Sequence, residues 1–160
     1  MLVIDTQCRA RLKSWQTADK LRRVLDSGLE LDDDRHRIDI NAVHAYLSND
    51  SYWAQGRSHE AVEQTIREAA RVVGLYHDGR QVGFARVVSD HVHIAYLCDV
   101  YVLADYRGQG VGVELVREAV DNGPQHDLRW WLGTKDAHGL YRRFGFGPPD
   151  ERYMARQPPR

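Results

Sequence analysis

The sequence predicts an α/β domain of the α+β kind, with a mixed central sheet and flanking helices, on three observations. Three successive apolar runs between residues 71 and 103 are separated by the turn signals Asp78-Gly79 and Ser89-Asp90, the pattern of consecutive antiparallel strands. A glycine-rich loop, Arg107-Gly108-Gln109-Gly110-Val111-Gly112, then leads from the last run into a helical pattern. Beyond it the order is strand, helix, strand, which gives helices sheet faces to cover.

A chain of 160 residues fits one domain with a real core. The formal charge of -1 and a pI near 6.7 give no electrostatic case for nucleic acid as a partner. Cys8 and Cys98 are too few for a disulfide scaffold and read as free thiols in a reducing compartment. No apolar run reaches membrane-spanning length, and residues 1–10 lack the apolar core of a signal peptide. The expectation is a soluble cytoplasmic protein without a membrane partner. The scattered His and Asp residues show no metal-ligand spacing, so no metal is expected.

Element by element, residues 1–27 form a basic extension carrying Arg9, Arg11, Lys13, Lys20, Arg22 and Arg23, with Leu21, Val24 and Leu25 suggesting a short helical stripe. Gly28 closes it. The domain proper is expected over residues 28–156, followed by a tail at 157–160. Residues 29–32 alternate like an edge strand before the acidic turn Asp32-Asp33-Asp34. A short helix over 41–47 has Asp39 or Asn41 as a cap. Ser58 caps a second helix, with Glu60 in its first turn and Val62, Ile66, Ala69 and Ala70 on one face.

The three strands follow, over 71–77, from Gln81, and from His91 to Leu103. After the glycine loop, Leu115, Val116, Ala119 and Val120 make the apolar stripe of a helix that Asp121-Asn122-Gly123-Pro124 stops. Residues 128–132 are dense enough in apolar mass for a strand inside the sheet. A short helix over 136–144 and a last strand around 152–156 complete the order.

The glycine loop carries the first functional signal. Three glycines at a helix start let backbone amides approach a diphosphate closely, and the first helical turn supplies unpaired N–H donors and the positive end of the macrodipole. Arg107 can add a charge-assisted bond. Two nucleotide loops are excluded: Gly112-Val113-Glu114 lacks the Lys-Ser/Thr ending of the ATP loop, and Val113 with a carboxylate-free strand end at Thr134 breaks the dinucleotide fingerprint.

Two further segments agree with this loop in order and spacing: Asp99-Val100-Tyr101-Val102 before it, and Asp136 followed by Tyr141 and Phe144-Gly145-Phe146 after it. Together they resemble the GCN5-related N-acetyltransferase (GNAT) family over roughly residues 29–156. The resemblance implies an acyl-CoA N-acyltransferase fold and acetyl-CoA as cosubstrate. It places the diphosphate on Arg107, Gly108, Gln109, Gly110, Val111 and Gly112, the pantetheine arm on the backbone of Val100, Tyr101 and Val102, and a cofactor contact at Asp136, where many members carry asparagine. It also implies that Tyr141 is the general acid beside the thiol.

A phenol has a proton to give a departing thiolate, and backbone N–H near Val100 suits the carbonyl oxygen. Alternation puts Asp99 on the face of Tyr101, where it orients the incoming ammonium or removes its proton. Tyr52, Trp53 and Arg57 fall where the family builds its acceptor wall: the aromatics line a slot and Arg57 binds a carboxylate or phosphate on the substrate. The acidic turn at 32–34 offers attraction for a cationic amine. His91 and His93 are a candidate proton route, and His138 a candidate neighbour of the cofactor. Cys98 lacks a His partner, which favours direct transfer in a ternary complex over a covalent route. The reading is N-acetylation of a small-molecule or protein amine, with a homodimer allowed. A noncatalytic acyl-CoA-binding regulator and an O-acetyltransferase are the alternatives.

Overall fold

Both residues of the Asp78-Gly79 turn take positive φ, 49° and 78°, as two-residue hairpins between right-twisted strands require. This turn sets the register of the two strands it joins, and we describe residues 21–157 of the protein from a computed structural model. The strands are β1 (Arg22–Val24), β2 (Glu30–Asp32), β3 (Arg71–His77), β4 (Arg80–Ser89), β5 (Ile94–Val102) and β6 (Arg129–Leu132). They lie in one sheet in chain order, antiparallel from β1 to β5, with β6 parallel to β5.

Helices cover both faces. On one, α3 (Val111–Val120) inserts Leu115, Val116, Ala119 and Val120 against Leu31, Val73, Ala85 and Leu97. On the other, α1 (Ile40–Ala45) and α2 (His59–Glu68) bring Val43, Val62 and Ile66 onto Val72, Phe84 and Tyr101. Asp39 and Ser58 cap these helices by accepting hydrogen bonds from the N–H groups of Ala42 and Ala61. A fourth helix, α4 (His138–Arg142), follows β6 and contributes Tyr141 to the α3 side of the core.

A buried ionic network ties β3 to α3. Arg71, 5% exposed, donates to Asp33 and to both the backbone carbonyl and the carboxylate of Glu118. Glu118, 3% exposed, also accepts from Arg23 and Asn122. The guanidinium lies where a Cβ at Gly123 would stand, 2.5 Å from Nη1, which explains glycine at the end of this helix.

Four sequence expectations change. Leu21, Val24 and Leu25 do not form a helical stripe; residues 22–24 are β1, because Arg22 pairs with Glu30 across the strands and Arg23 reaches Glu114 and Glu118. The rest of the basic extension, residues 1–20 with Cys8, lies outside the described residues. With β1 beside it, β2 is an interior strand. Conversely, β6 is an edge strand among the described residues: Leu128, Trp130 and Leu132 pack against the core while Trp131 lies edge-on to Tyr153, so its apolar mass does not report strands on both sides. No strand forms over 152–156, which is exposed; Pro148 and Pro149 lack N–H donors, and Arg152 folds back onto Asp150.

Removing one partner from a buried ion pair leaves the other charge uncompensated. Arg71→Ala therefore lowers stability by about 3 to 5 kcal/mol, read from the urea midpoint of the full chain. A loss below ~1 kcal/mol would show that the network behaves as a solvated surface pair.

Candidate active site

The site begins with an irregularity in β5. Phe84 pairs with Tyr101 and Arg86 with Cys98, so Asp99 and Val100 together oppose Ala85: a β-bulge. Asp99 takes φ of 53°, a left-handed conformation that Asp tolerates better than most residues. Its side chain is buried beneath the connection between α1 and α2, where Arg57 Nη1 lies 3.1 Å from each carboxylate oxygen, Arg86 Nε 2.7 Å from Oδ2 and Trp53 Nε1 3.3 Å from Oδ1.

The second feature is a parting of strands. Pairing between β5 and β6 runs only from Ile94–Arg129 to Leu97–Leu132, while β5 continues to Val102. Past that point a cavity of about 490 Å³ opens. Into it come Tyr52, Trp53, Arg57, Asp99, Val100, Asp136 and Tyr141, all expected from sequence, together with Arg86, Tyr96, Cys98 and Lys135. A hydrogen bond of 2.8 Å from the Lys135 N–H to the Tyr52 hydroxyl bridges its two walls. The segment bearing Tyr52 and Trp53 is fixed by buried Ser51, whose Oγ donates to the Leu47 carbonyl and accepts from the Ala54 N–H.

Tyr141 stands at this cavity with its ring edge-on to Phe146, centroids 6.1 Å apart. Its hydroxyl makes no hydrogen bond among the described residues. Burial first, then the neighbouring Tyr52 and Asp136, pushes its pKa up to about 12, so the phenol keeps its proton throughout the neutral range. Asp136 is exposed at the rim.

At the far end of β5 the glycine loop has the conformation its sequence implies. Gly108 and Gly110 take φ of 80° and 77°, and Gly110 caps α3 without a side chain to consume the first N–H donors. A Cβ on Gly108, Gly110 or Gly112 would meet no protein atom within 4 Å, so the loop presents an open backbone face at a helix N-terminus. These residues fit the diphosphate of coenzyme A. Arg107 is exposed beside this loop; its Nε donates to the Val102 carbonyl and its Nη2 to Tyr46 Oη, which ties the strand end to the loop and leaves Nη1 without a protein acceptor among the described residues. Tyr101 packs inward, stacked on Tyr46 at 3.9 Å.

Other candidates fall elsewhere. His91 and His93 sit in the turn before β5, not on a strand face, and neither lines the cavity. His138 lines a separate groove on the other side of Tyr141. The acidic turn is consumed by structure: Asp32 bonds Arg37, Asp33 bonds Arg71, and Asp34 caps the short turn at Arg35–Arg37. Burial pushes the Cys98 thiol up to about 11, the opposite of an activated nucleophile. Sequence reasoning missed Arg86, whose signal was a lone cation inside the apolar strand 82–88. Among the described residues no cluster of His, Cys, Asp and Glu is placed to hold a metal ion, and no helix is long and apolar enough to cross a membrane.

A mixed sheet with a parallel pair that parts past Leu97, and a glycine loop opening α3, agrees with the fold that the resemblance implies, and so does comparison with known proteins. Residues 39–146 match the Acetyltransferase (GNAT) family, and the chain belongs to it. A crystal structure of a GNAT-family protein from Xanthomonas campestris pv. campestris is 39% identical, with a TM-score of 0.77 over 82% of this chain and 94% of that one. A peptidyl-lysine N-acetyltransferase of Salmonella typhimurium, YjaB, is 29% identical over 110 residues, 69% of this chain and 70% of its own. The fold is shared with a Brucella melitensis GNAT acetyltransferase solved with acetyl-CoA, at 19% identity and a TM-score of 0.58 over 75% of this chain and 83% of that one.

Gly110→Ala forces a Cβ into left-handed backbone at ~1 to 2 kcal/mol. The expected result is a lower melting temperature and coenzyme A binding weakened about tenfold, equivalent to ~1.4 kcal/mol, by calorimetry. Unchanged affinity would remove this loop as the diphosphate seat.

Proposed function

We propose that the protein transfers an acetyl group from acetyl-CoA to a primary amine, on a small molecule or a protein, by direct attack in a ternary complex. The observation that carries this reading is the Tyr141 hydroxyl, protonated, without a hydrogen-bond partner among the described residues, and facing the cavity where β5 and β6 part. Bound acetyl-CoA supplies a thioester carbon to which the amine bonds as the carbon–sulfur bond breaks, giving an amide and a thiol.

Tyr141 holds its proton at Oη and offers it to the sulfur as negative charge grows there. Full transfer from a phenol at about 12 to a thiolate of ordinary pKa near 8.5 is uphill by roughly 3.5 pKa steps, about 5 kcal/mol. The contribution is therefore a hydrogen bond that strengthens toward the transition state, while the proton displaced from nitrogen ends on sulfur.

Asp99 takes a different role from the base expected of it. A carboxylate accepting from Arg57, Arg86 and Trp53 has its lone pairs committed and positions Arg57 instead. Cations at Arg57, Arg86 and Lys135 line the cavity and favour the neutral form of a bound amine, which supplies the nucleophile with less need of a base. An alcohol gains no such help, which favours N- over O-acetylation. A regulator without catalysis has no use for an unspent hydroxyl at this place.

With labelled acetyl-CoA and a panel of amines, Tyr141→Phe lowers kcat about 10²-fold, the usual worth of one transition-state donor, with little change in the KM for acetyl-CoA. Wild-type activity shows no loss attributable to this phenol below about pH 11, because a pKa raised to about 12 leaves it protonated there. Full activity of Tyr141→Phe would overturn the assignment.

A further inference from the structure

Resting on the acetyl-transfer reading, we infer that the acceptor is an amine that also carries a carboxylate, and that Arg57 and Arg86 seat that carboxylate. One carboxylate, Asp99, stands between two guanidinium groups, so the cluster holds one positive charge in excess. It is sheltered: the Arg57 side chain is 25% exposed, that of Arg86 12%, and that of Asp99 2%. Arg57 spends only Nη1 on Asp99, and Arg86 only Nε. The Nε and Nη2 of Arg57 and both Nη atoms of Arg86 have no hydrogen-bond acceptor among the described residues.

Half-buried cations with unspent donors call for an anion, and a guanidinium fork suits a planar carboxylate. The excess of one charge selects a monoanion over a phosphate, which brings roughly 1.5 to 2 negative charges at neutral pH. Asp136 does not fill this role, since it stands exposed at the rim beside Lys135. The remaining walls, Tyr52, Trp53 and Tyr96, are partly exposed aromatic faces that suit an apolar body between the two ends of the molecule. The acceptor so described is an amino carboxylate with an apolar or aromatic side chain.

The test uses matched amines that differ only in a carboxylate, phenylalanine against phenethylamine and leucine against isoamylamine, with an end-blocked lysine peptide and an aminophosphonate as further arms. In the full chain with acetyl-CoA, the carboxylate member is expected to exceed its partner in kcat/KM by on the order of 10²-fold. Arg57→Gln collapses that ratio and raises the KM for the amino acid while the KM for acetyl-CoA stays within about twofold; Arg57→Lys restores part of it. Equal rates within the pairs, a ratio that survives Arg57→Gln, or preference for the peptide or the phosphonate would overturn the inference and leave acetyl transfer standing. Calorimetry with N-acetylphenylalanine and coenzyme A reads the seat without turnover. Binding lost in Arg57→Gln supports the seat even if no amine is acetylated, and binding unchanged in that variant rejects it.

Discussion

The bulge at Asp99 and Val100 is the constraint on which the site depends. An uninterrupted β5 would keep strict alternation against β4; the extra residue breaks the ladder between Ala85 and its neighbours and aims Asp99 under the α1–α2 connection. There the carboxylate gathers a donor from β4, Arg86, and two from the connection, Trp53 and Arg57. A segment that is otherwise irregular is thereby held at one point above the sheet. The same strand then runs on past the end of β6, so one stretch of backbone forms both the floor of the acceptor side and an edge without a strand partner.

Arg107 completes that arrangement at the other end of the strand. By bonding the Val102 carbonyl and Tyr46 it fixes the distance between the end of β5 and the loop that starts α3. Tyr46 in turn stacks on Tyr101, which packs against Phe84 in the core. Loop, strand and the residue that ends α1 are thus joined by one chain of contacts, and the open amides at Gly108 and Gly110 lie at its end. A guanidinium used in this way helps to hold the backbone amides in place before a ligand arrives, which lowers the ordering cost of binding.

Much of this was legible in the sequence because it rests on local rules. Glycine and aspartate turns marked the β3–β4 and β4–β5 connections, Asp39 and Ser58 marked helix starts, and apolar stripes located α2 and α3. Tyr52, Trp53, Asp99, Asp136 and Tyr141, each singled out in the sequence, line one cavity. What failed were features set by partners distant in sequence. Arg23 looks like part of a basic helix until Glu114 and Glu118 lie beside it, and Asp33 looks like a free surface charge until Arg71 reaches it. The edge position of β6 is likewise invisible to composition, since one core-facing side together with an aromatic pair leaves the same apolar run as an interior strand.

Asp99 shows what residue type and position leave out, namely the partners a side chain meets in the fold. A carboxylate beside the acyl site reads as a base, and here three donors, from Trp53, Arg57 and Arg86, already bond its two oxygens. Nor is the cluster explained by stability. Desolvating two guanidinium groups around one carboxylate costs more than a packed apolar substitute would, and such clusters are often neutral or unfavourable to folding. What the arrangement does provide is positive charge at a fixed point on the cavity wall, held there by an anion that cannot move away. Asp99 sets the direction of Arg57, and Arg57 offers its remaining donors to the cavity. The same charge balance makes one carboxylate per substrate the arrangement that leaves neither guanidinium nor ligand uncompensated.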